Sequence, residues 1–436
     1  MRTGRAEPGR SPARRRTLGV PVLLLSLLPF VACSADPPGP IEPTSAQLEA
    51  DLTTVLRKRA RAILDDDAAA LKRTLAPGDA IRRQQATYLA NLAQLPVEVL
   101  RYRVERGSVT ADPDDQRSVW AVVQTSLQLE GYDAVPVRTR DRWRFTLGEH
   151  GRRYVLASTR DAAWEEEHTS AEQPWDRGPI RVEERLDALG IFDATTIGDA
   201  PMVLDAVSDG RFEVGLQLPE ERSSAVDGDG ADGAPRDLGT VVYVLSDRSA
   251  VDDLTGDTVG DPERADGLTI AIPSVPGDSS SPTAGFRISL NPRVLAQSAS
   301  VRDRLVRHEL THALLGAEGR GAPLWITEGI AEYVSVQPMD ALQRRLPAAA
   351  LEVGAGASAL PSAEDFQGPD AVGWYAVAWW VCEYVANTEG PSMLWVLLDE
   401  LAGGADQAGV LADRLGLTED QLVQRGVALM TSTYRR

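Results

Sequence analysis

His308-Glu309-Leu310-Thr311-His312, with Trp325-Ile326-Thr327-Glu328-Gly329-Ile330-Ala331-Glu332-Tyr333 after it, is the stretch on which the reading of this chain turns. The first segment has the form HExxH. On an α-helix, residues four apart differ by about 40° in azimuth, so both imidazoles project from one face. Leu305, Val306, Leu310, Ala313 and Leu314 give the same helix a broad apolar surface, which predicts a path through a core. Two imidazoles and a carboxylate buried there without partners are costly, and a metal ion removes that cost. Two neutral imidazole nitrogens and one carboxylate form the ligand set of a catalytic zinc, with a fourth position open. Such a zinc lowers the pKa of its water to about 7, and Glu309 on the same helix is placed to take the proton. The chain has 4 histidines in 436 residues. At that composition chance supplies HExxH in roughly a few chains per thousand, so the pattern is read as a metal site.

The helix boundaries are legible. Ser300-Val301-Arg302-Asp303 has the form of a capping box, with Ser300 as N-cap. Gly316 is a natural stop, and Pro323 suits the first turn of a second helix that carries Glu328 and Glu332 one turn apart. A metal-bound histidine needs its other ring nitrogen fixed, and Glu332 is the natural partner.

HELTH followed by WITEGIAEY resembles the gluzincin zinc metallopeptidases, most closely their peptidase-MA-like branch, over roughly residues 283–400. The resemblance implies that His308, His312 and Glu328 ligate one Zn²⁺ and that Glu309 is the general base. It puts Glu332 behind the first histidine. Thermolysin-like members also have a downstream transition-state histidine, and here no histidine follows His312. Aminopeptidase-like relatives use a tyrosine instead, which makes Tyr375 the positional candidate. In the resembled enzymes an edge strand just before the zinc helix pairs with substrate backbone. Gly285–Pro292 alternates apolar and polar residues and ends at Asn-Pro, so Phe286–Leu290 is the strand expected in that position. Thr240–Leu245 (TVVYVL) suits a buried central strand of the same small sheet.

The N-terminus bears on location. Arg14-Arg15-Arg16 precede a short apolar run, Leu18 to Ala32, broken by Pro21 and Pro29. It reads as an export signal rather than a spanning helix. The run ends Phe30-Val31-Ala32-Cys33, which resembles the bacterial lipobox with Phe in place of Leu. That resemblance implies lipidation of Cys33 and a membrane-tethered product; ordinary secretion is the alternative. Loss of residues 1–32 removes six arginines and one glutamate, so the net charge moves from −19 to −24. A surface so acidic argues against a nucleic-acid partner. Of the two cysteines, Cys382 lies in an apolar stretch and reads as a small buried hydrophobe.

The fold class expected is α+β. Residues 1–32 are the signal, 33–44 a tether and 45–160 an accessory domain of helices followed by a β-meander. That pattern resembles the nuclear-transport-factor-like cone. A helical pattern from Ser45 to Leu71 is broken at Asp65-Asp66-Asp67, and a second helix spans Ala80–Leu95. No acid–base constellation is visible in this domain, which is read as a docking or substrate-presenting module. Residues 161–180 form an acidic linker, and 181–436 a mainly helical zincin-like domain. Ser223–Asp237 is a Gly/Asp-rich loop whose acid spacing fails the EF-hand pattern. The activity expected is hydrolysis of a peptide or protein substrate. A cell-wall amide hydrolase and a non-catalytic, zinc-stabilised binding lipoprotein are the alternatives.

Overall fold

The computed structural model describes residues 44–434 except 150, 152, 169–171, 220–237, 256–264 and 279. Thr44 opens the first helix, Ser45–Leu64, with a capping box. Its hydroxyl accepts from the Gln47 N–H at 3.3 Å, and the Gln47 side chain accepts from the Thr44 N–H at 2.8 Å. This satisfies two donors that the helix itself cannot. The expected break falls at Asp66, where φ is +48°, and Asp67 caps a short second helix, Ala68–Lys72. A longer one, Asp79–Leu92, follows.

Five antiparallel strands come next: β1 (Val97–Val104), β2 (Thr110–Ala111), β3 (Ser118–Leu129), β4 (Val137–Leu147) and β5 (Tyr154–Ser158). They run in the order β1-β3-β4-β5, with β2 on β3. This half-barrel closes over the first helix, whose Leu52 and Leu56 pack on Val123, Phe145 and Leu156. The expected arrangement of helices followed by a meander is present. Residues 172–180, expected as linker, are instead part of the packing. Trp175 is 3% exposed, and Asn91 donates to the carbonyls of Trp175 at 2.9 Å and Gly178 at 2.7 Å. An indole of that size stabilises more when buried than when left in a solvated tether.

The second sheet contains β6 (Arg181–Arg185), β7 (Ala188–Phe192), β8 (Thr240–Val244), β9 (Gly267–Pro273) and β10 (Thr283–Leu290), in the order β6-β7-β8-β10-β9. The centre, β8, is parallel to both neighbours and buried throughout. Its two faces meet different layers. Val242 and Val244 pack with Val203 and Val207 of helix Ala200–Gly215 and with Val306 and Leu310 of the HExxH helix. Val241 and Tyr243 pack with Leu100, Leu127 and Leu129 of the half-barrel. A strand covered on both sides reads as a continuous apolar run, as TVVYVL does. The half-barrel and the second sheet thus share a core, and the chain from Thr44 onward is one compact unit.

Phe286–Leu290, expected at the sheet's edge, is interior. Here β10 pairs with β8 on one side and with β9 on the other. The edge belongs to β9, because the preceding segment doubles back antiparallel and takes the outer place. Beyond the sheet the chain is helical. The HExxH helix spans Ala299–Leu315, and the Glu328 helix spans Leu324–Val336. Ala371–Glu389, Ser392–Ala402, Gln407–Leu415 and Glu419–Tyr434 build the layer behind them. Ser298, not Ser300, is the N-cap of the HExxH helix, and it makes no side-chain capping bond; Asp303 pairs with Arg302 instead. Pro323 is the N-cap of the next helix rather than its first residue. Among the described residues, no helix is long and apolar enough to cross a membrane.

The half-barrel is fastened to the second sheet by a buried ion pair. Arg287 of β10 donates to Asp133, and the two are 1% and 3% exposed. Beside it the Ala134 N–H donates to the Ala284 carbonyl at 2.7 Å, and the Arg138 N–H to the Ser274 carbonyl at 2.8 Å. Asp133→Ala leaves a guanidinium charged and unpaired in the core. We expect a loss of about 3–5 kcal/mol, read from the urea unfolding midpoint. An unchanged midpoint would show that the pair does not fasten the two sheets.

Candidate metal centre

The HExxH helix carries its two histidines across the top of the core and stops at Gly316. There φ is +56°, a conformation that glycine adopts without steric cost. The short connection returns the chain so that Glu328 faces both imidazoles. His308 Nε2 and His312 Nε2 are 3.2 Å apart, and each is 3.3 Å from Glu328 Oε2. In a tetrahedral shell with metal–ligand bonds of about 2.0–2.1 Å, neighbouring ligand atoms are about 3.3–3.4 Å apart. The triangle formed by the three side chains has nearly that edge. A contact that short between two imidazole nitrogens is bridged by a shared proton or by a cation. His308, His312 and Glu328 therefore can hold a metal ion.

The surroundings favour a cation. Glu309, Glu328 and Glu332 bring three carboxylates, against the single guanidinium of Arg304. Burial pushes His308 down, but its contacts with Glu328 and Glu332 override this and hold it well above the ordinary imidazole range. Burial likewise pushes Glu328 up, and the two histidines more than reverse it. Glu332 lies behind the site as expected, with Oε1 at 3.3 Å from His308 Nδ1, although the two are not aligned as a hydrogen bond. Its other oxygen accepts from Arg304, whose guanidinium lies 5.1 Å from the Trp379 ring centroid. Burial opposes the charge on Glu332, but Arg304 and His308 outweigh it and bring the carboxyl down to about 2. Arg304 is the member of this chain that sequence reasoning missed. Its place four residues before His308 on the same helix was the available signal.

Glu309 is held from the other side, by β9. Its Oε2 and its own carbonyl both lie 2.8 Å from the Thr269 hydroxyl. A Cβ on Gly267 would come within 2.8 Å of Glu309 Oε1, so a side chain at this position would displace the carboxylate from its place against the strand. Neither residue was singled out in the sequence, since no local pattern links residues 267–269 to 309. Tyr375 is at the site's rim. Its ring lies edge-on to His308 with centroids 6.2 Å apart, and it packs on Phe366 at 4.8 Å. Burial, then the negative charge of Glu328, Glu309 and Glu332, pushes its phenol up, which keeps it a proton-bearing hydrogen-bond donor.

Other residues of metal-ligating type stand apart from the site. His168 stacks on Trp164 at an exposed turn. Cys382 is fully buried, and burial pushes its thiol up, as suits an inert core residue. Cys33, the signal, the tether up to residue 43, His150, and the whole Ser223–Asp237 loop fall outside the described residues. Comparisons with protein-family models, curated proteins and solved structures return no match for this chain.

Gly329 explains why glycine follows Glu328. A Cβ there would lie 2.6 Å from Cys382 Sγ and 2.8 Å from the Ala378 carbonyl oxygen. The Glu328 helix can therefore press against helix Ala371–Glu389 only without a side chain at this point. Gly329→Ala is expected to cost about 1–3 kcal/mol through overpacking and to weaken metal binding by tilting Glu328 away. Thermal melts with and without added metal, together with competition against a chelator, read both effects. Wild-type melting and metal affinity in the variant would refute the packing argument.

Proposed function

We propose that this chain is a zinc-dependent peptidase. The observation that carries the reading is the triangle of His308, His312 and Glu328, closed to 3.2–3.3 Å, with the Glu309 carboxylate held separately on β9. Zinc suits two imidazoles and a carboxylate in a tetrahedral shell with one open position. When bound there it supplies a Lewis acid and lowers the pKa of a water to about 7.

The chain's own groups then divide the work. Glu309 takes the proton of the attacking water and passes it to the leaving amine. Thr269 fixes the carboxylate's orientation for both transfers. Tyr375 donates a hydrogen bond to the oxygen on which negative charge develops. Glu332, fixed by Arg304, orients His308. The free edge of β9 offers backbone donors and acceptors to an extended substrate, so recognition proceeds by strand addition. That role passes from Phe286–Leu290 to Gly267–Pro273, whose outer side carries no strand among the described residues.

Glu309→Gln separates base catalysis from metal binding. Gln is nearly isosteric, accepts the same Thr269 hydrogen bond and cannot take a proton. We expect one zinc per chain in both proteins, an unchanged melting temperature, and peptide hydrolysis lowered by about 10²–10⁴. Hydrolysis near the wild-type rate would sink the mechanism. Loss of zinc in the variant would make Glu309 part of the metal's support.

We also place the mature chain on the outer face of a bacterial membrane, tethered through lipid on Cys33. The support is the basic–apolar–VAC order of the first 33 residues. Cys33→Ser should move the protein from the detergent phase to the aqueous phase or leave the precursor uncut. An unmodified Cys33 in the intact mass of the native product would exclude this anchor.

A further inference from the structure

A second buried polar centre lies in the half-barrel, in a cavity of about 100 Å³ between the strands, helix Asp79–Leu92 and the segment around Trp175. Its most unusual member is Arg59, on the inner face of the first helix and 2% exposed. The guanidinium carbon is 5.4 Å from the ring centroids of Tyr88 and Tyr102 and 5.6 Å from that of Trp143. Three aromatic faces offset part of the cost of burying a cation. They do not satisfy its N–H groups: Nε and Nη1 have no hydrogen-bond acceptor among the described residues. Trp143 Nε1 and Arg287 Nε are unpaired donors on the same lining. Native interiors seldom leave so many buried donors open in one place.

The same cavity is lined by Asp141, Glu172 and Asp176. Glu172 is paired with Arg177 at 3.2 Å and Arg160 at 3.6 Å. Burial, then repulsion from Glu172 and Glu165, pushes Asp141 up to about 7 against the pull of Arg160. Burial foremost brings Asp176 to about 7 as well. One cavity therefore presents a cation with no counter-ion among the described residues, beside two carboxyl groups that burial holds up in pKa for want of a cationic partner of their own.

We infer that this cavity is a binding site for a small zwitterion of the α-amino-acid class, its carboxylate on Arg59 and Trp143 and its ammonium on Asp141 and Asp176. A simple anion would satisfy Arg59 but add to the repulsion among the carboxylates. A simple cation would do the reverse. The cavity's volume far exceeds the roughly 10–15 Å³ that admits one water, and suits a molecule of several heavy atoms rather than a peptide chain. The assignment uses none of the metal centre's residues and stands independently of the peptidase reading.

The test is calorimetric titration of the purified full chain with each free amino acid, and with acetate and ethylamine as single-charge probes. At least one amino acid should bind saturably at one site per chain, and both single-charge probes at least tenfold more weakly. Arg59→Met and Asp141→Asn should each weaken that binding at least tenfold with the circular dichroism unchanged. If Arg59→Met does not fold, Asp141→Asn, which is isosteric, decides alone. No saturable binding up to about 10 mM, equal binding of a single-charge probe, or wild-type affinity in Asp141→Asn overturns the proposal. Because no turnover is measured, the outcome does not depend on whether the metal centre hydrolyses peptides.

Discussion

The structure is organised around six ionisable side chains, Arg304, His308, Glu309, His312, Glu328 and Glu332, buried or half-buried at the meeting point of an apolar helical core and a sheet edge. Each group would destabilise the fold if left without a partner. The arrangement supplies partners from three directions. Arg304 and Glu332 neutralise each other behind the histidines. Thr269 on β9 holds Glu309 from the sheet side. Glu328 closes the third side, at a helix crossing that only Gly329 permits. His308, His312 and Glu328 are left with three donor atoms within 3.3 Å of one another, a grouping that could hold a metal ion.

The need for rigid support behind the site also accounts for the three-layer build. A catalytic carboxylate must keep its direction to within a few tenths of an ångström, and elements locked by packing do this better than loops. Here β9 is held by β10, β10 by β8, and β8 by layers on both faces. The Arg287–Asp133 pair joins the half-barrel to this stack at β10, one strand from β9. The accessory half is thus part of the scaffold that fixes Glu309. An appended domain on a tether would not stiffen the sheet in this way.

The elements most legible in the sequence are those whose signal is local. HExxH marks its face by helical period alone, and Glu328 and Glu332 follow from the same spacing one helix later. TVVYVL announced burial on two faces. What was not legible depends on contacts between distant segments. GLTIAIP and GFRISL are both short apolar strands, and nothing within either says which one lies outermost. Gly267 and Thr269 matter only through a residue some forty positions on. Among Ser298, Ala299 and Ser300 the start of the helix was misplaced by two residues, since either serine fits the cap and the approach of the preceding turn decides. The 161–180 stretch reads as solvated because acids dominate it, yet Trp175 and Asn91 pull its second half into the core.

The two buried polar centres differ in what each lacks, and the difference is chemical rather than positional. Around His308 every proton donor has found an acceptor or a close carboxylate, and the surplus is of lone pairs and negative charge. In the half-barrel the surplus is of N–H donors on Arg59, Trp143 and Arg287, set beside carboxyl groups whose pKa burial has raised. A metal ion offers no acceptor and leaves Arg59 unsatisfied. A zwitterion offers no lone-pair sink for two imidazoles and a glutamate. Each centre therefore excludes the other's ligand through the hydrogen-bond and charge balance of its own side chains, and this keeps the two sites from competing within one compact fold.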